Sequence, residues 1–288
     1  MRTTFRAKEP YAGILLSCAA DYQLKTPERP ERFIEKMKHN RGSLGIITGL
    51  GCDSDGLERK NPVVVAFGDS VTAGHFESLL CNDDAPVKAQ TMSENTDAER
   101  IDYEGNPAVE VTDARECYLE RFRLKLIDKY EQTSVSTINS GIAGETLIQM
   151  SARLERDVIR YQPDLVIING ALNWDRQCGD SEFYKKLLLD VVRKIRNRTE
   201  ADIVLLTPNG DVPCPRLGIY ESTTSDRVKV IRELAVEEKV CLVDVYSIWE
   251  EARKRGCPWP ELLSNGANHP GVEGHEAYAI ALMKLFEG

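Results

Sequence analysis

The 288-residue chain contains no run of about 18 apolar residues of the kind a membrane-spanning helix needs. It has no CxxC pair, and its eight cysteines, Cys18, Cys52, Cys81, Cys117, Cys178, Cys214, Cys241 and Cys257, follow no regular spacing. Without ligand pairs at zinc spacing no structural metal is expected. A chain of this length does not need stapling, so the cysteines read as free thiols in a reducing, cytoplasmic setting. Positive charge is also short: 37 Lys and Arg against 46 Asp and Glu give a net charge of −9. That balance excludes a nucleic-acid partner, whose phosphates require a basic face. No glycine loop of the P-loop or Rossmann kind is present, since "GLGCDSDG" lacks the fingerprint spacing, and no nucleotide or other cofactor is expected. Asp53 and Asp55 in that stretch start like a calcium loop, but its later ligands are missing, and it reads as a solvated turn.

What is present begins with an atypical first 60 residues. "YAGILLSCAA" has the outline of a lipoprotein signal, with Cys18 as the lipidated residue and export as the alternative to the cytoplasm. Its apolar stretch is short and Glu9 and Pro10 interrupt the basic region, so a buried strand or helix is the other reading. "TPERPERFIEKMKHN" reads as a charged helix and "SLGIITGLG" as a strand and turn. From Val63 the pattern becomes regular. The β-branched runs 63–67, 135–139, 164–169, 202–208 and 240–246 read as buried strands, separated by helical segments such as Leu119, Phe122, Leu126, Tyr130 and Leu147, Met150, Leu154, Val158. A last helix spans about 271–286. The alternation predicts an α/β fold, a parallel sheet between two helix layers, with ligands at the carboxyl ends of the strands. One acidic stretch, 81–114, is a surface excursion or flexible lid.

Functional residues should therefore follow the strands. Ser70, in "FGDSVTAGHFE", stands in a tight turn after the first core strand, where a hydroxyl can be exposed beside backbone N–H donors. Alone, "GDS" is weak, and Ser70 could simply cap a helix. Two further strand ends add to it: "SGIAGET", where Gly144 can present a backbone N–H, and "GALNWD", where Asn173 offers an amide. With the Ser70 N–H these would form an oxyanion hole. His269 and His275 lie in "SNGANHPGVEGHE" near the C-terminus.

In this set of blocks the chain resembles the SGNH/GDSL hydrolases, esterases and lipases of three-layer, flavodoxin-like fold. The resemblance covers residues 61–288 apart from the excursion, and leaves 1–60 as an extension of unknown role. It implies Ser70 as nucleophile, His269 as base, and Ser70, Gly144 and Asn173 as the oxyanion hole. Two departures stand out. Trp174 separates Asn173 from Asp175, where the family has Asn-Asp. The family's aspartate, three residues before the histidine, is Gly266 here, or Asn265 if one residue is inserted.

The ring of His269 would then be oriented by the carbonyl of Asn265, by a main-chain oxygen or by a more distant acid. If Asn265 faces the ring, Asn265→Asp should raise activity. Asp69, His75, Trp174 and Asp175 are candidates for substrate contact, with Trp174 alternatively a packing residue. His275 reads as a helix residue and Asp244 as a cap or salt-bridge partner. The resemblance implies a carboxylic ester hydrolase without cofactor. The absence of an amphipathic lid suggests a short acyl group, most simply an O-acetyl on a carbohydrate. A lipase or thioesterase of the same family, or a binding module that has lost turnover with its aspartate, are the alternatives.

Overall fold

Along the strands, successive apolar residues face two different cores. In β1 (Val63–Gly68), Val64 and Ala66 belong to one cluster, and Val65 and Phe67 to the other. β5 (Leu165–Asn169), β6 (Asp202–Leu206) and β7 (Cys241–Val243) divide in the same way, for example Leu165 and Ile167 against Val166 and Ile168. A strand buried on both faces must be apolar at every position, which is why these segments read as continuous runs. With β4 (Ser136–Gly141) they form a five-stranded parallel sheet in the order β4-β1-β5-β6-β7. The computed structural model describes residues 5–39, 61–77, 110–131, 134–175, 177–214, 222 and 224–287.

One face of the sheet is covered by α5 (Leu147–Asp157), α6 (Ser181–Arg198) and α7 (Thr224–Glu237). The other carries α1 (Tyr11–Asp21), α2 (Glu31–His39), α4 (Tyr118–Lys129), α8 (Val245–Lys254) and α9 (Val272–Met283). The short α3 (Ser70–Ala73) follows β1 directly. The expected strand 240–246 stops at Val243, because Asp244 turns the chain into α8. Within the excursion, β3 (Glu110–Thr112) returns to pair antiparallel with β2 (His75–Glu77), while 81–109 lie outside the described residues.

Within the atypical N-terminal segment, α1 and α2 are part of one helix layer. Leu15, Phe33 and Met37 are fully buried in the same core as β1 and β5. The Phe33 N–H donates to the Asp202 carboxylate at 2.9 Å, and Lys36 pairs with Asp164 at 2.6 Å. Asp244 is fully buried, paired with Lys25 and Arg232, and its N–H donates to the Tyr22 hydroxyl at 2.8 Å. Burial raises the Asp244 pKa, but hydrogen bonds from Arg232 and Lys25 outweigh it and hold it low. The expected strand "SLGIITGLG" lies outside the described residues.

The cysteines need one correction. Cys18, Cys117, Cys178, Cys241 and Cys257 are free, but Cys214 is disulfide-bonded. A disulfide depends on closeness in space, which spacing in the chain does not reveal, and it removes the thiol argument for a reducing compartment. Cys18 sits within α1 with 3% of its surface exposed, facing the core. No helix among the described residues is long and apolar enough to cross a membrane.

His275 is a helix residue, fully buried in α9. Its Nδ1 accepts the Tyr118 N–H at 3.2 Å, filling a cap that Cys117 leaves open at the start of α4. Burial, with smaller effects from the charges of Arg121 and His269, pushes its pKa down to about 3 from 6.5. The folded state therefore keeps the ring neutral, while the unfolded chain protonates it below about 6.5. The ring's contribution is complete above that pH and is lost as pH falls toward 3, at up to about 1.4 kcal/mol per unit. Denaturant titrations at pH 7.5 and 4.5 should show His275→Leu less stable by about 1 kcal/mol at the higher pH, from the lost cap. The gap should shrink or reverse at the lower pH, and an equal gap at both would contradict this account.

Candidate active site

The Ser70 turn is built where three strands end. After β1 the chain enters α3, and Asp69 caps it, its Oδ1 accepting the Val71 N–H at 3.0 Å. Ser70 is the first residue of that turn, and first-turn donors have no partner within a helix, so its N–H is available to a ligand. Behind α3 the end of β4 comes so close that a Cβ on Gly141 would lie 2.2 Å from the Ala73 nitrogen. Asn139 ties the two together: its Nδ2 donates to the Thr72 carbonyl at 2.8 Å and its Oδ1 accepts the Gly141 N–H at 3.0 Å.

His269 reaches this turn from the loop before α9, with Nε2 2.8 Å from Ser70 Oγ. The loop is organised by Asn265, which is fully buried and whose Oδ1 accepts the N–H groups of Ala267, Asn268 and His269 at 3.0 Å each. Two bonds anchor it to the segment after β6: Val212 N–H to Ala267 O and Asn209 Nδ2 to Asn268 O, both 2.9 Å. With its oxygen committed three times over, the Asn265 amide cannot flip, and it turns its nitrogen toward the ring, not its carbonyl. The expectation that the Asn265 carbonyl orients His269 is corrected by this geometry.

Asn265 Nδ2 lies 2.8 Å from His269 Nδ1, but also 2.9 Å from Glu77 Oε2 and 2.8 Å from Asn268 Oδ1. It has two hydrogens, and two oxygens stand ready to accept them. Glu77 Oε2 is itself 3.3 Å from His269 Nδ1, and Glu77 Oε1 is 3.0 Å from His75 Nε2. Burial raises the Glu77 pKa, but hydrogen bonds from His269, His75 and Asn265 overcome it and hold the carboxyl well below the ordinary range. Sequence reasoning missed Glu77. Its one local signal is the His75-Phe76-Glu77 alternation, which places His75 and Glu77 on the same face of β2.

On the opposite side, Gly144 occupies a turn closed by the Glu145 N–H on the Ile142 carbonyl, at φ +76, a conformation that favours glycine. Asn173 Nδ2 donates to the Glu145 carbonyl at 3.2 Å, so the two expected oxyanion donors share one hydrogen-bonded edge, with one amide hydrogen of Asn173 left over. Buried Arg153 braces that edge. It donates to the carbonyls of Gly68 at 3.0 Å and Ser140 at 2.9 Å, and pairs with the Glu145 carboxylate.

The residues expected to touch substrate each have partners within the protein. Asp69 is a buried cap, its pKa pushed up to about 6 by burial despite the Val71 N–H and the nearby His269. His75 is buried, its Nδ1 3.2 Å from Thr112 Oγ1 and its Nε2 on Glu77. Trp174 packs edge-on against Tyr184 and donates Nε1–H to the Gly179 carbonyl at 3.0 Å. Asp175 is exposed, but its Oδ1 accepts the N–H groups of Gln177 and Cys178, which closes a local turn. Among the described residues no group of three or more His, Cys, Asp or Glu could hold a metal ion.

A sequence model described as the GDSL-like lipase/acylhydrolase family matches residues 66–277. An acetylxylan esterase from Geobacillus stearothermophilus is 28% identical over 167 residues, covering 54% of this chain and 74% of that enzyme. Among solved structures, a substituted form of an acetyl xylan esterase from the same organism superposes with a TM-score of 0.54 at 21% identity. That match covers 78% of this chain and 94% of the other. The lipase/acylhydrolase from Enterococcus faecalis superposes with a TM-score of 0.53 at 20% identity, covering 77% and 95%. The chain therefore belongs to the GDSL-like lipase/acylhydrolase family and is a carboxylic ester hydrolase.

Proposed function

We propose that the protein is a serine esterase that removes a short acyl group, an O-acetyl in the first place, from a carbohydrate. The observation that carries the reading is the 2.8 Å contact between Ser70 Oγ and His269 Nε2 at the carboxyl end of β1. As Ser70 Oγ attacks the ester carbonyl, His269 Nε2 takes its proton. The carbonyl oxygen becomes an oxyanion facing the N–H groups of Ser70 and Gly144 and the Asn173 amide. Collapse of this intermediate expels the alcohol, which leaves with the proton from His269. Water, activated by the same imidazole, then hydrolyses the acyl-serine.

A short acyl group on a sugar is supported by the Geobacillus relative, an acetylxylan esterase. A catalytic mutant of the Geobacillus enzyme carries alanine in place of a serine, which fits a serine nucleophile here as well. The disulfide at Cys214 suits an oxidising compartment, so the reading does not require the cytoplasm.

Purified Ser70→Ala should hydrolyse p-nitrophenyl acetate about 10⁴-fold or more slowly than wild type; equal rates would end the reading at this site. Asn173→Ala should lose about 10² to 10³ in kcat with KM little changed, the mark of a group that binds the oxyanion better than the ground state. Across acetylated xylo-oligosaccharides and p-nitrophenyl esters of increasing chain length, kcat/KM should be highest for acetyl substrates. A maximum at eight carbons or more would point to a lipase instead.

A further inference from the structure

We infer that Glu77 is the positioning acid for His269, replacing the carboxylate that the histidine loop lacks. The inference rests on the Ser70–His269 reading above. For Nε2 to accept the Ser70 proton, the neutral ring must carry its hydrogen on Nδ1. Two side-chain atoms stand at that nitrogen: Asn265 Nδ2 at 2.8 Å and Glu77 Oε2 at 3.3 Å. Only the carboxylate can accept a hydrogen. The Asn265 nitrogen has its two hydrogens directed to Glu77 Oε2 and Asn268 Oδ1, so it leaves the ring hydrogen to Glu77.

The remaining contacts serve the same end. Asn265 Nδ2 holds one carboxylate oxygen at 2.9 Å, and His75 Nε2–H holds the other at 3.0 Å while its Nδ1 accepts from the Thr112 hydroxyl. His75 and Glu77 leave β2 on one face, and the pairing of His75 with Thr112 across the ribbon sets the position of that face. Among the described residues the titratable groups around the ring are Glu77 and His75 on β2, Asp69 beside Ser70, and His275 on α9. When the imidazole takes the Ser70 proton, Glu77 supplies the counter-charge; no proton needs to pass to it.

The geometry also reverses the simplest expectation for residue 265. An aspartate there would still accept the three backbone N–H groups, but its second oxygen would face Glu77 Oε2 where the amide now donates. Two carboxylates at that distance repel. If Glu77 is first made an amide, the same aspartate should be accommodated and can orient the ring itself.

The experiment compares wild type, Ser70→Ala, Glu77→Gln, Asn265→Asp and the double variant Glu77→Gln/Asn265→Asp on p-nitrophenyl acetate. Each is checked for folding by circular dichroism and thermal melting. Glu77→Gln should lose about 10² to 10⁴ in kcat with KM within about threefold. Asn265→Asp should lose about tenfold, and the double variant should recover at least about tenfold over Glu77→Gln. A Glu77→Gln enzyme within threefold of wild type overturns the inference, as does a double variant no faster than Glu77→Gln. Should Glu77→Gln not fold, Asn265→Asp decides alone: a loss upholds Glu77, and a gain assigns the ring to residue 265. A Ser70→Ala protein as active as wild type would instead remove the reading beneath, while an inactive Ser70→Ala with an active Glu77→Gln removes only this step.

Discussion

A neutral imidazole has one hydrogen and two nitrogens, and the whole neighbourhood of His269 is arranged around which nitrogen holds it. Nε2 faces the Ser70 hydroxyl at 2.8 Å, so the surroundings of Nδ1 determine which tautomer the ring adopts. Those surroundings come from two distant pieces of chain. The loop of Asn265 fixes the ring through three backbone N–H groups on one side-chain oxygen, and the β2–β3 ribbon brings a carboxylate to its edge. The amide of Asn265 turns its nitrogen toward the ring, and the carboxylate beside Nδ1 is Glu77, from the segment that follows Ser70.

The parallel sheet makes the meeting possible. β1, β4 and β5 run side by side, so Ser70, Gly144 and Asn173 emerge at one edge although about a hundred residues separate the first from the last. Arg153 binds carbonyls at the ends of β1 and β4 and the side chain of Glu145, and Asn173, after β5, donates to the Glu145 carbonyl, so the three ends are joined. The segment after β6 supplies the fourth support through Asn209 and Val212. Precision at the site thus derives from main-chain carbonyls and N–H groups, which cannot rotate away as side chains can.

The sheet was legible because burial on both faces leaves a continuous apolar signature, as in 63–67 and 164–169. Ser70, Gly144, Asn173 and His269 were legible for a related reason: each follows a strand or precedes the last helix. Glu77 was not. Its place beside His269 depends on the pairing of β2 with β3, His75 opposite Thr112 and Glu77 opposite Glu110, across a connection of more than thirty residues, and no short-range pattern encodes such a contact. The same holds for the Cys214 disulfide, whereas Asp244 was legible as a cap or salt-bridge partner and only its distant partner Lys25 was hidden. The direction of the Asn265 amide was hidden differently: sequence names the side chain, but only the three converging N–H groups decide which end faces the ring.

α1 and α2 lie before the residues that match the family, yet they pack on the same core. Residues that identify the family start near 66, yet Leu15, Phe33 and Met37, far upstream of that point, fill the same interior as β1 and α9. The unit that can be recognised and the unit that can fold are therefore not the same length. A fragment trimmed to the recognisable part would keep every group of the reaction centre and yet expose one flank of its own core to water.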